Sequence, residues 1–219
     1  MEIRDKDDIL IDISNIEKPE QDLVDKYILE NDIVLELGAR YGSVSCIINS
    51  KLKNKYNQVV VEPDDRVWTA LEKNKNKNNC DFNIVKGFIS NKKLDLTNLD
   101  AYFDGYGATF LENDNTKISS YTLKEIEEKY KLNFNVLIAD CEGFLEVFFD
   151  ENPDFYDKLR LIIFEEDYPE KCDYNKIKNT LREKQFNCII DGFHNVWLKS
   201  ENNEKYKYQH LRYNRKNKY

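Results

Sequence analysis

An apolar pair, Val34-Leu35, runs into an acid and two glycines four positions apart, Glu36-Leu37-Gly38-Ala39-Arg40-Tyr41-Gly42, and Ser43-Val44-Ser45-Cys46-Ile47-Ile48 continues as the start of a helix. A strand, a tight loop and a helix in this order constrain the fold more than any other part of the chain. Glycine lets the loop take left-handed dihedrals and lets a ligand lie against bare backbone. The spacing is not the G-x-G-x-x-G that cradles a pyrophosphate. E-x-G-x-x-x-G instead puts a carboxylate at the strand end, which suits a ligand without phosphates.

A second acid extends the pattern. Gln58-Val59-Val60-Val61-Glu62-Pro63 is a β-branched run and reads as a buried strand that ends in Glu62, a helix's length after the glycine loop. In a doubly wound sheet an acid there hydrogen-bonds the ribose hydroxyls of an adenosine. Glu36, Gly38, Gly42 and Glu62 together point to an adenosine ligand that carries positive charge. S-adenosylmethionine, with a sulfonium and an ammonium, is such a ligand, and Glu36 would favour it directly or through water. For each acid alone, a solvated strand end is the bland alternative.

Composition narrows the class. The chain has 219 residues, 41% of them hydrophobic, enough for one good core and a single α/β domain. A net charge of −8 weighs against nonspecific binding of nucleic acid. Lys205, Lys207, Arg212, Arg215, Lys216 and Lys218 form a basic tail interleaved with Tyr206, Tyr208 and Tyr213, which reads as a solvated terminus or, alternatively, an RNA contact. Five cysteines without a C-x-x-C pair suggest free thiols in a reducing, cytoplasmic setting and no zinc site. No apolar run reaches membrane-spanning length, and Met1 to Lys6 lacks a signal-peptide core.

Along the chain, 1–30 reads as a lead with one helix, 31–200 as the main domain and 201–219 as the basic tail. Strands are expected at the glycine loop, at 58–62, 82–85, 134–139, 159–164, 186–190 and 196–199. Thr122-Leu123-Lys124-Glu125 is a capping box and Asp173 a helix cap. Residues 91–118 show no period and read as an irregular insert suited to substrate contacts, or as a tolerated surface loop. About seven strands with helices between most of them predict a mainly parallel sheet covered on both faces, a Rossmann-like α/β fold.

In such sheets ligands sit at the carboxyl ends of the strands. Glu36, Glu62, Asp140 and Glu165-Glu166-Asp167 all fall at expected strand ends, and like charges gathered on one edge need a cation or a proton among them. A hard divalent ion such as Mg2+, held by Asp140 with Glu166 or Asp167, would meet that need; a solvated loop is the alternative for the trio. His194, expected in the loop between the last strands, is one candidate base, with a solvent-facing histidine as the plainer reading. Asp140 is the first candidate for a residue near a reacting hydroxyl. Cys141 reads as a small core thiol.

Glu36-Leu37-Gly38-Ala39-Arg40-Tyr41-Gly42, Val61-Glu62-Pro63, Tyr121-Thr122-Leu123, Asp140-Cys141-Glu142-Gly143-Phe144-Leu145-Glu146 and Ile162-Ile163-Phe164-Glu165 together resemble the FkbM family of S-adenosylmethionine-dependent methyltransferases. The D-x-E-G-x-x-E segment paired with the E-x-G-A loop is the most specific part, and the match spans about residues 20 to 200. The resemblance implies a class I methyltransferase sheet, six parallel strands and one antiparallel, and O-methylation of a sugar or another small hydroxylated metabolite. It implies that Glu36, Gly38 and Gly42 hold the methionine end of the cofactor and Glu62 its ribose, with Ala39, Pro63 and Asp140 also among the cofactor-binding residues. Asp140 would stand beside the transferred methyl, with Glu142 and Glu146 supporting its loop. Arg40 departs from the family's usual Asn and brings a charge near the cofactor. An RNA or cap methyltransferase and a binding module without turnover are the rival readings.

Overall fold

The computed structural model describes residues 1–15, 17–99 and 106–200. The basic tail and Gly105 of the insert lie outside the described residues. In chain order the elements are α1 (Lys18–Tyr27), β1 (Val34–Leu37), α2 (Ser43–Lys51), β2 (Gln58–Glu62), α3 (Trp68–Lys77), β3 (Asn83–Lys86), β4 (Phe88–Ile89), β5 (Leu94–Thr97) and β6 (Thr109–Glu112). They continue with β7 (Ser120–Tyr121), α4 (Leu123–Tyr130), β8 (Val136–Ala139), α5 (Leu145–Glu151), α6 (Phe155–Lys158), β9 (Leu161–Glu165), α7 (Tyr174–Glu183), β10 (Phe186–Ile190) and β11 (His194–Lys199).

Seven strands form one sheet in the order β10-β11-β9-β8-β1-β2-β3. β11 pairs antiparallel with both β9 and β10, and the other neighbours pair in parallel, which gives the expected six and one. From β1 the chain first runs outward to β2 and β3, then returns to β8 on the other side. The switch in strand order therefore falls between β1 and β8, where a crevice opens above the carboxyl ends.

Alternation along the central strands decides what lies on each face. Leu35, Leu37, Leu137, Ala139, Ile162 and Phe164 face the layer of α4 to α7, and Val34, Val136, Ile138, Leu161 and Ile163 face α1 and α2. The Thr122 capping box forms as read, with the Glu125 amide donating to Thr122 Oγ1 and the Thr122 amide to Glu125 Oε2. Asp173 caps α7 by accepting from the Lys176 amide. The insert is more ordered than its composition suggests: β5 and β6 pair antiparallel, and β4 pairs in parallel with β7 beside them.

The lead reaches farther than its single helix. Ile3 is buried against the side of the sheet that holds Tyr41, Leu71 and Phe82, and the buried Asn74 side chain donates to the carbonyls of Arg4 and Tyr41. Below the opposite ends of the strands, Arg160 donates from Nε to Asp32 Oδ1 at 2.6 Å and from Nη2 to the Tyr27 carbonyl. This buried pair ties the entry of β9 to the entry of β1. Asp32→Ala is expected to lower unfolding stability by about 3 kcal/mol in urea titration, because it strands the guanidinium without its counter-charge; a change within the noise would show the pair to be dispensable.

Candidate active site

The glycine loop is built by contacts that leave no room for a side chain. Gly38 has φ +86, its amide donates to the Val61 carbonyl, and a Cβ on it would lie 1.7 Å from the Asp140 carbonyl oxygen. The Asp140 amide in turn donates to the Leu37 carbonyl, so β1, β2 and β8 are laced together at their tips. Gly42, φ +84, closes the turn by donating to the Ala39 carbonyl at 2.7 Å and opens α2.

Above this loop lies a cleft lined by Gly38, Arg40, Val61, Glu62, Pro63, Asp64, Phe88, Ile89, Asp140, Cys141, Glu142 and residues 106–110 of the insert. Glu62 is buried at its rim and accepts from the amides of Arg40 at 2.7 Å and Asp64 at 2.8 Å, one per carboxylate oxygen. Burial pushes its carboxyl up to about 7. The charge of Arg40 is directed to Asp64 at 2.8 Å, and its guanidinium stacks over the rings of Tyr41 and Tyr106. Asp64 also takes a two-pronged pair from Arg66. Arg40 thus braces the rim and holds Tyr106 of the insert over the cleft.

Glu36 is placed below the loop, not in the cleft. It is 1% exposed and accepts from Ser45 Oγ at 2.7 Å and Gln58 Nε2 at 2.9 Å, so that it clips α2 to β2. Burial pushes it up to about 8. With Glu17, Glu20, Gly38, Ala39 and Asp140 it surrounds a small chamber that adjoins the cleft through Gly38, Glu17 and Asp140. Asp140 faces both spaces, and burial, then the charges of Glu20 and Glu165, raise its carboxyl well above the ordinary range.

The Asp140-Cys141-Glu142-Gly143 segment turns through two left-handed residues, Glu142 and Gly143. Asp167 holds that turn by accepting from the amides of both, each at 2.9 Å, and from the Tyr174 hydroxyl at 2.7 Å. Glu142 accepts from the Gly107 amide, which fastens the insert to the turn. Glu146 accepts from the Asp173 amide and from Lys176. Burial pushes the Cys141 thiol well up, as suits a packed thiol and not a nucleophile.

Two sequence expectations need correction. Glu166 does not join Asp140: it accepts from Asn195 Nδ2 at 2.6 Å and pairs with Lys178, because neighbouring residues at the end of β9 point to opposite sides. Asp167 does lie near Asp140, the two together with Glu142 bringing ligand oxygens within 4.8 Å of one another, so of the two partners expected for Asp140 the structure brings up Asp167 and not Glu166. His194 is not in a loop. It is the first residue of β11, faces Glu165 across the strands with Nε2 2.5 Å from Oε1, and does not line the cleft. Two acids, Glu17 and Glu20, enter the site from the lead. Glu17, just before α1, and Glu20, in its first turn, carry no sequence signal beyond their place at the start of an amphipathic helix, and the site reaches them only because α1 packs on α2.

No protein-family model matches the chain, and no curated protein does. Solved structures do resemble it. A precorrin-6y methyltransferase from Geobacter metallireducens has a TM-score of 0.53 at 12% identity, over 87% of this chain and 93% of that one. An O-methyltransferase from Bacillus cereus in complex with SAH has a TM-score of 0.53 at 15% identity, over 86% and 83%. An rRNA methylase from Streptococcus thermophilus has a TM-score of 0.51 at 8% identity, over 86% and 99%. At these identities the likeness is one of fold, and the fold is the Rossmann-like class I methyltransferase fold. Among the described residues no helix is long and apolar enough to cross a membrane.

Proposed function

We propose that this chain is an S-adenosylmethionine-dependent O-methyltransferase of FkbM type, acting on a hydroxyl of a sugar or another small hydroxylated metabolite. The observation that carries the reading is the convergence of bare backbone at Gly38, a buried carboxyl at the tip of β2 and Asp140 at the tip of β8, all on one cleft at the switch in strand order. The bound SAH of the Bacillus cereus O-methyltransferase, a protein of the same fold, supports the choice of cofactor.

The residues present fit such a donor. Gly38 presents bare backbone to the cleft, Glu62 keeps lone pairs for ribose hydroxyls after accepting two amides, and the acids around Asp140 favour positive charge. When bound, the donor supplies an electrophilic methyl on a positively charged sulfur. Phe88, Ile89 and Phe144 give the cleft an apolar wall against which a flat ring packs. The insert, with Tyr106 and Phe110, covers the cleft and limits water. Asp140 stands where cleft and chamber meet, within reach of an acceptor hydroxyl whose proton its carboxylate takes as the oxygen attacks.

Calorimetry with S-adenosylmethionine and a labelled-methyl screen over hydroxylated acceptors test the reading. Asp140→Asn is expected to lower turnover about 100-fold while donor affinity stays within a few fold. Absence of binding heat with the donor would overturn the cofactor assignment. Unchanged turnover in the variant would remove Asp140 from the reaction.

A further inference from the structure

Glu20 is a buried acid that the cleft does not account for. It stands in the first turn of α1, is 2% exposed, and makes no hydrogen bond or ion pair among the described residues. Its neighbours are all served: Glu17 accepts from Ser43, Glu36 from Ser45 and Gln58, and Glu62 from two amides. Glu20 instead points at two further carboxylates. One oxygen each from Glu20, Asp140 and Glu165 lie within 4.8 Å of one another.

Three carboxylates this close, one of them wholly buried and without a donor, call for a cation or protons among them, and a cation among them would meet all three at once. The chamber that Glu20 and Asp140 line, beside Glu165, has a volume of about 10 Å3, the space of a single water or ion. An all-oxygen ligand set selects a hard divalent ion over zinc or copper. We propose that Glu20, Asp140 and Glu165 bind one hard divalent cation of the Mg2+, Mn2+ or Ca2+ class, linking the lead helix to the tips of β8 and β9. His194, 2.5 Å from Glu165, orients that ligand from outside. Each residue gives one oxygen, so Asp140 keeps its second oxygen for the cleft.

A neighbouring trio, Asp140, Glu142 and Asp167, meets the same distance. It is already served, since Asp167 accepts from the amides of Glu142 and Gly143 and from Tyr174, and Glu142 accepts from the Gly107 amide. It therefore makes no comparable demand for an ion.

The inference goes beyond methyl transfer and does not depend on it, so the test uses the full chain with Mn2+ alone. Loss of the free-ion paramagnetic resonance signal on titration is expected to report one Mn2+ per chain, with half-saturation below about 1 mM, the weak end for oxygen sites. Glu20→Gln and Glu165→Gln, each confirmed as folded by circular dichroism, are expected to weaken uptake about tenfold or more. Glu166→Gln, outside the trio, is expected to leave it unchanged. No uptake at about 1 mM, or equal uptake by the folded variants, overturns the site.

Discussion

Gly38→Ala is expected to destabilise the fold by about 3 to 5 kcal/mol and to abolish donor binding in calorimetry. The added methyl would sit 1.7 Å from the Asp140 carbonyl oxygen and 2.9 Å from its carbon, so backbone has to move. That backbone is not free to do so, because the Asp140 amide is bonded to the Leu37 carbonyl and the Gly38 amide to the Val61 carbonyl. Alanine also resists φ +86, adding about 1 kcal/mol before any clash. Gly42→Ala makes the control. Its methyl meets Leu71 Cδ1 at 2.8 Å, the end of a flexible side chain that can give way, so a loss of about 1 to 2 kcal/mol is expected. Chemical denaturation of both variants checks the order; an equal or larger loss at Gly42 would mean that the lacing of three strand tips at Gly38 does not hold the loop.

What the sequence made legible was local. The strand, loop and helix at 34–51, the β-branched run up to Glu62, the apolar run up to Asp140 and the Thr122 capping box each rest on neighbours in the chain, and each forms where it was read. What it hid depends on partners far along the chain. Glu36 is drawn under the loop because Gln58, twenty-two positions later, donates to it. Glu20 belongs to the site only because α1 packs on α2. Glu165 and Glu166 differ by one position and hence by the side of the strand they take, a choice set by pairing with β11 and not by composition. The insert carries no period because β5 and β6 are short and pair with each other as a ribbon at the rim, outside the main sheet.

Without added cations or donor, the protein is expected to lose on the order of 5 kcal/mol of stability as pH rises from about 4.5 to about 8. Glu36 and Glu62 carry the part of it that their own partners define, and the raised carboxyls of Glu17, Glu20, Asp140, Glu142 and Asp167 add to it in the same direction. Burial pushes Glu36 up to about 8 and Glu62 up to about 7, against the donors that Ser45, Gln58, Arg40 and Asp64 offer them. Both values stand above those of the unfolded chain, so the native state holds protons that the unfolded state releases. Stability from these groups is therefore complete below about pH 4.5 and is lost as pH rises through 7 and 8. The sign is opposite to that of Asp64, where burial pushes upward but Arg66 and Arg40 outweigh it and hold the carboxyl below its ordinary value, so that its contribution is lost on acidification. Urea titrations at pH 5, 6, 7 and 8 measure the slope; a flat profile, or stability rising over that window, would mean that Glu36 and Glu62 are ionised in the native state. Glu36→Gln separates the two acids. It keeps an acceptor for Ser45 but turns the other arm of the amide, a donor, toward Gln58, and it is expected to remove the Glu36 share of the slope across the whole window, lowering it between pH 5 and 7, where Glu62 still contributes, and most completely between pH 7 and 8, where Glu62 no longer does.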